Sequence, residues 1–354
     1  MKRVLAINPG ATSSKFAVFD DEKIVFKKVV EHQGAALQGF SRVIDQFQYR
    51  SDLITDALKE ANIPLESLDA VVARGGLLKP MQGGTYAVNE LMLADLKKAE
   101  RGEHASNLGG VLADNIAKPL GIPAFIVDPV AVDELQPVAR VSGFPDLERI
   151  SMAHALNMKA VARKVAAELG MQYRDANFVV AHLGTGISMS VHQGGKMIDI
   201  VDGKEEGAFS PDRCGGLPAS QLVKLCYSGK YTYEELRANL FGSGGFQAYL
   251  GTKDARDLER LAEEGDEKAE LLLQAFSYQV AKDIGSLATV VKGKADRIIL
   301  TGGMAYSKRL VTDITDRVGF IAPVVIIPGE EELESLSAGT IRVLHDEEQA
   351  RVYQ

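Results

Sequence analysis

Strand-sized apolar runs and helix-period stretches follow one another in this chain in an order that occurs twice, and that repeat restricts the fold more than any other feature. In the first half, "RVLAIN", "KFAVFD" and "KIVFKKVVEH" read as three short strands. The stretch "FSRVIDQFQYRSDLITDALKEAN" then carries apolar residues at helical spacing, at Phe40, Ile44, Phe47, Leu53, Ala57 and Leu58. A strand "DAVVA" runs into Gly75-Gly76, and two helical stretches at about 89–101 and 107–118 precede a strand "AFIVD". A long helix over about 147–169, capped by Gly170, leads into the second half. There "NFVVAHL", "ISMSVHQ" and "KMIDIV" are again three strands, followed by an insertion of loops and helices at about 204–262. The long helix "EKAELLLQAFSYQVAKDIGSLATVV", the strand "DRIILT", Gly302-Gly303, a helix, the strand "APVVIIP" and a terminal helix from about Glu331 close the chain. The residues of the two halves barely match, so the repeat is one of pattern. Its alternation of strands and helices predicts an α/β protein, and 354 residues suit two domains.

The first two strands of each half are joined by small and hydroxyl residues. "NPGATSSK" gathers Asn8, Gly10, Thr12, Ser13, Ser14 and Lys15, while "HLGTGIS" places Gly184, Thr185, Gly186 and Ser188 directly after His182. Ordinary hairpin chemistry accounts for one such turn. Two of them, each opening a half, favour phosphate binding by backbone N–H groups, hydroxyls and a cation. They are expected on opposite walls of a cleft between domains. Neither a G-x-x-x-x-G-K-[ST] loop nor a G-x-G-x-x-G fingerprint occurs, so the phosphates are expected against strand hairpins. Gly302 and Gly303 end a strand in "LTGGMAYSK", where backbone can approach a flat ligand such as adenosine or simply turn into a helix.

Arg213 in "SPDRCGG" and Arg74 before Gly75-Gly76 lie beside glycines, where a guanidinium is either solvated or clamps a carboxylate or phosphate with two donors. His104 and His154 precede helical stretches and could face the cleft, whereas His32, His192 and His345 read as structural or surface residues. No zinc-ligand spacing is present. Asp128, ending a strand before Pro129, can reach a magnesium ion or form a turn. Glu330, Glu331 and Glu332 open the terminal helix, where acidic residues complement the helix dipole.

The net charge of −8, with both signs mixed along the chain, argues against a nucleic-acid partner. Cys214 and Cys226 have no redox or metal spacing and fit a reducing compartment. No signal peptide and no membrane-length apolar run are read, so a cytoplasmic protein without membrane contact is expected.

Taken together, the two turns, the Gly-Gly loop and the duplicated pattern resemble the actin-like ATPase superfamily that includes sugar kinases. "INPGATSSK", "RGGLLKP", "HASNLGG", "HALNMKAVAR", "HLGTGIS" and "SPDRCGGLP" narrow the resemblance to the acetokinase family over nearly the whole chain. That resemblance implies a duplicated actin-like (ribonuclease H-like) two-domain α/β fold with its active-site cleft between the domains. Residues 1–152 plus about 333–354 would form an N-terminal domain with the first phosphate turn and the carboxylate side. Residues 153–332 would form a C-terminal domain with the second turn and the adenosine site. The implied activity is reversible, magnesium-dependent transfer of a phosphoryl group from ATP, leaving ADP, to a short-chain carboxylate such as butyrate or a branched analogue. An acetate or propionate kinase of the same fold, a sugar kinase and a non-enzymatic actin-like switch are the alternatives.

Residue by residue, Asn8, Ser13 and Lys15 fall at matching places of the opening motif. Thr12 or Ser14 would compensate for Ala11, which stands where the family often has a serine. Arg213 matches the arginine that stabilises the moving phosphoryl group, and His154 and His104 match active-site histidines. His182, Gly184, Thr185 and Gly186 form the second phosphate turn, and Gly302 and Gly303 the adenosine loop. Asp128 matches the acidic residue at the catalytic strand end, and Glu331 the magnesium-associated glutamate. Arg74 departs from the acetate kinase pattern, where a histidine precedes Gly-Gly, and is carried as a candidate carboxylate clamp. A homo-oligomer, dimer or higher, is also expected.

Overall fold

Strand β1 (Arg3–Pro9) sends alternate side chains into two different cores in the computed structural model, which describes residues 1–32 and 34–354. Leu5 and Ile7 pack with Ile54, Ala57 and Leu58 of the helix Phe47–Glu60 and with Leu108 and Leu112 of the helix Leu108–Ala117. Val4 and Ala6 pack with Leu333 and Leu336 of the helix Glu332–Leu344. A sheet covered by helices on both faces explains why this strand reads as an unbroken apolar run.

β2 (Ser13–Asp20) and β3 (Lys23–Glu31) continue antiparallel from β1, and β4 (Ala70–Arg74) lies parallel on its other side. β5 (Thr85–Ala87) runs antiparallel to β6 (Ala124–Val127), which is parallel to β4. With the short β12 (Arg351–Val352) the order is β12-β5-β6-β4-β1-β2-β3. The second sheet contains β7 (Phe178–Leu183), β8 (Ile187–Gln193), β9 (Lys196–Asp202), β10 (Arg297–Gly302) and β11 (Val324–Pro328). Its order is β11-β10-β7-β8-β9, with β7, β8 and β9 antiparallel and β7, β10 and β11 parallel. Three antiparallel strands followed by parallel additions beside the first is the arrangement of both sheets. The α/β class and the duplication are therefore present in the topology. β5 and β12 are additions to the first sheet that were not read from sequence, being three and two residues long.

The chain divides into two compact units. The first is Met1–Asp133, Ala155–Asn157 and Glu331–Gln354, and the second is Glu134–His154 and Met158–Glu330. Residues 134–154 join the second unit through contacts with β9. The Gln136 N–H donates to Ile198 O, and Arg149 donates to Ile200 O while pairing with Asp199 at 3.0 Å. The core of the second sheet sets Val179, Ala181 and Met189 against Leu273, Phe276, Val280 and Ile284 of the helix Glu267–Val290.

The helix expected over about 147–169 is shorter, Ala155–Glu168. Arg149 ties its own segment to Ala139, Ile200 and Asp199, and those contacts hold residues 147–150 out of helical geometry. Gly170 follows the helix with φ +70°, the left-handed conformation a glycine adopts without strain. In the helix Phe47–Glu60 the buried positions are Arg50, Ser51, Ile54, Ala57 and Leu58, so Ile54 rather than Leu53 faces the core. Among the described residues, no helix is long and apolar enough to cross a membrane.

Candidate active site

In the first unit, β1, β4 and β6 are mutually parallel, so their carboxyl ends share one edge. That edge carries Asn8, Arg74 and, one residue past β6, Asp128. Open α/β sheets bind ligands at such an edge. Asn8 is buried and its Nδ2 donates to the Glu332 carboxylate, which also pairs with Arg74 Nη1 at 2.7 Å. Asn8, Arg74 and Glu332 thus form one hydrogen-bonded group. Glu331 precedes that glutamate at the helix start, and its carbonyl accepts from Ser335 Oγ.

Asp128 is buried, has φ +38° and accepts the Gly84 N–H at 2.7 Å. Left-handed backbone at a non-glycine residue stores strain that the surrounding structure must hold, as happens at functional sites. His104 Nδ1 accepts the Ser106 N–H and lies 2.8 Å from Ser106 Oγ. Burial of the ring and the nearby Arg74 charge hold His104 below the usual histidine range. The paired glycines after Arg74 serve packing: a Cβ on Gly76 would stand 2.4 Å from Asn107 Oδ1.

The first turn closes between Pro9 and Ser14, with the Gly10 N–H donating to Ser13 O at 2.7 Å. Thr12 and Lys15 are exposed and Ser13 is half-buried. Ser14 is buried, its hydroxyl 2.9 Å from His32 Nε2 and 3.2 Å from Arg50 Nη1. Ser14 therefore supports the turn from within. Arg50 was not singled out from sequence, although an arginine between Phe47 and Ile54 on an apolar helix face was a visible signal.

In the second unit, the turn between β7 and β8 closes with the Gly184 N–H donating to Gly186 O at 3.2 Å. The Arg213 guanidinium rests on this turn: a Cβ on Gly186 would stand 2.8 Å from Nη1 and 3.1 Å from Cζ. Arg213 Nε is 3.9 Å from Asp212 Oδ1, a loose contact that leaves the planar fork geometry unused there. His154 and His182 stack with ring centroids 3.9 Å apart and planes 9° from parallel. His154 Nδ1 lies 2.9 Å from Ser188 Oγ, and His182 Nε2 lies 3.0 Å from Glu330 Oε1.

Gly302 has φ +89°, and a Cβ there would meet Leu183 O at 2.4 Å, so only glycine fits. A cavity of about 780 Å³ is lined by Gly184 and Thr185 of the turn, by Gly303, and by Thr252, Lys253 and Ser307. The second turn and the Gly-Gly loop, far apart in sequence, thus open into one space large enough for a nucleotide.

Comparison with known proteins bears on this geometry. The chain is 52% identical over 356 residues to butyrate kinase 1 of Clostridium acetobutylicum, covering 100% of both chains. It is 51% identical over 354 residues to butyrate kinase 2 of the same organism, covering 99% of each. The chain belongs to the acetokinase family. The acetokinase family model itself matches residues 149–322. A crystal structure of Porphyromonas gingivalis acetate kinase superposes with a TM-score of 0.81 at 18% identity, covering 97% of this chain and 100% of that one, which speaks to the fold.

Acetokinases use ATP, and a nucleotide-borne magnesium ion asks little of the protein: one or two carboxylates and the phosphates themselves complete its shell. Among the described residues no three histidine, cysteine or acidic side chains cluster as a metal cage. A buried aspartate at a strand end, held by the Gly84 N–H, is the hard oxygen donor that such an ion takes, so the residues fit. Glu332, by contrast, is occupied by Arg74 and Asn8.

Proposed function

We propose that the chain transfers the terminal phosphoryl group of ATP to a short-chain carboxylate, butyrate or a branched analogue, to give the acyl phosphate and ADP, reversibly. The observation that carries the reading is Arg213 lying on the glycine turn that lines the nucleotide-sized cavity, in a chain half identical to two butyrate kinases. The adenosine side is assigned to the cavity with Gly302 and Gly303, and the phosphates to Gly184, Thr185, Gly186 and His182. Asn8, Ser13 and Lys15 are assigned to the phosphoryl group on the acceptor side, and Arg74 and His104 to the acid. Magnesium would be held by Asp128 and Glu331 and would neutralise phosphate charge.

A carboxylate is already ionised at neutral pH, so its oxygen attacks the γ-phosphorus without a general base. As the new O–P bond forms, the bond from the γ-phosphorus to the bridging oxygen breaks, and its electron pair leaves on the β-phosphate of ADP. No proton changes hands. What the chain must supply is alignment of two anions and compensation for charge on the moving group. Arg213 presents planar donors for that charge, and the stacked pair His154 and His182 borders the same turn.

Trapping with hydroxylamine tests this directly. With ATP and magnesium, butyrate and isobutyrate should yield hydroxamate faster than acetate, while glucose and glycerol remain unphosphorylated. Sugar phosphorylation without hydroxamate from any short acid would overturn the reading.

A further inference from the structure

Beneath the first turn lies a charge that no role above uses. Arg50, in the helix Phe47–Glu60, is 1% exposed. Its Nη1 donates to Gly10 O at 2.8 Å and Ser13 O at 3.2 Å, and its Nη2 to Ala11 O at 3.4 Å. Gln46 Oε1 fixes the other edge, accepting from Nε at 3.1 Å and Nη2 at 2.8 Å. The remaining turn carbonyl, Thr12 O, accepts the His32 N–H at 2.7 Å. All four carbonyls of residues 10–13 are therefore held by donors inside the protein.

That arrangement matters for an anion. Carbonyl oxygens repel phosphate, and a hairpin left to itself points some of them at whatever it binds. With all four drawn inward, the peptide dipoles of the turn offer their positive ends on the other side. The guanidinium's acceptors are all neutral, and among the described residues no carboxylate pairs with it, so its charge is uncancelled behind the turn. A buried arginine would ordinarily be paired. His32 beside it is pushed down to about 4 by burial and by Arg50, so that ring adds no positive charge beside the guanidinium near neutral pH.

We propose that Arg50 is a positioning residue for phosphoryl transfer. It never touches the phosphate; it sets the shape of the turn that carries Ser13 and Lys15 and gives that turn a fixed positive background. The inference rests on reading the first turn as a phosphate site.

The test compares Arg50→Lys, Arg50→Met and Gln46→Met with wild type, reading kcat per folded molecule, the Kd for ADP and the melting temperature. Arg50→Met should lose about 10²-fold in kcat, the scale of a small misplacement away from the chemistry. Arg50→Lys keeps the charge but loses the planar fork and should regain less than about tenfold of that loss. Gln46→Met should fall between Arg50→Lys and wild type. The Kd for ADP should stay within about threefold throughout, because the adenosine cavity lies in the other unit. A staple with a merely structural role would lower melting temperature and leave kcat per folded molecule within about threefold, and that result overturns the proposal. Should Arg50→Met fail to fold, unchanged kcat in Arg50→Lys and Gln46→Met overturns it equally. If wild type forms no acyl hydroxamate, the carboxylate-kinase reading fails separately, and the ATP hydrolysis rate of the same variants then reads the effect of Arg50.

Discussion

The two hairpin turns share one topology and use arginine in opposite ways. At the first, between β1 and β2, Arg50 lies beneath, buried, and among the described residues its acceptors are neutral, three of them turn carbonyls. At the second, between β7 and β8, Arg213 lies against the turn with a third of its side chain exposed and a loose carboxylate contact at 3.9 Å. The glycines explain the difference. Gly186 leaves room for a guanidinium from elsewhere in the unit to approach the backbone, whereas the first turn has Gly10, whose nearest neighbours are Ser13 atoms, and carries its own cation, Lys15. A guanidinium saturated by carbonyls shapes a loop, and one left partly open is available to a ligand.

The largest effect that would break this comparison concerns Arg213. If it faces charge that develops in the transition state, Arg213→Ala should lower kcat by at least roughly 10²-fold, since arginines in that role are worth about 10³-fold or more. The ATP KM should change by less than about tenfold and melting should be nearly unaltered. Arg213→Lys should recover only a minor part. Steady-state kinetics beside a melting curve checks this; near-wild-type turnover in the folded alanine variant would make the second turn's arginine as structural as the first's.

A smaller effect sharpens the contrast through pH. His32, beneath the first turn, sits at about 4 rather than 6.5, so between those values the unfolded chain binds the proton first. Its contribution to stability is therefore lost as pH falls from about 6.5 to about 4. Asp283, in the second unit, is pushed up to about 6 by burial while its carboxylate accepts the Ala208 N–H at 2.7 Å. Here the folded chain binds the proton first, so stability is lost as pH rises from about 4 to about 6. Asp283→Asn should keep the hydrogen bond and gain melting temperature over wild type at pH 7 but not below pH 4. A difference independent of pH would show that Asp283 does not titrate in that window.

Much of this was legible in residue order because backbone chemistry repeats locally. Both turns, the Gly302-Gly303 loop and the strand grammar follow from small residues between apolar runs, and the structure has them there. Arg50 and Glu332 were not legible as partners of Ser13 and Arg74, because those contacts join positions 37 and 258 residues apart. Nothing in local spacing records which acceptor a long side chain finds once two distant elements pack. Ser14 shows the converse: its neighbours made it resemble a ligand donor, while the pleat of β2 turned it inward to His32 and Arg50.

The central claim is that a carboxylate oxygen attacks phosphorus directly. Butyrate labelled with ¹⁸O at both carboxyl positions, incubated with unlabelled ATP and the enzyme, puts that claim on one ³¹P spectrum. Direct attack makes the labelled oxygen the bridge between carbon and phosphorus. Every acyl phosphate molecule should then show the isotope shift of one ¹⁸O bonded to phosphorus. Acyl phosphate without that shift, or phosphorus recovered only on water, would contradict the account.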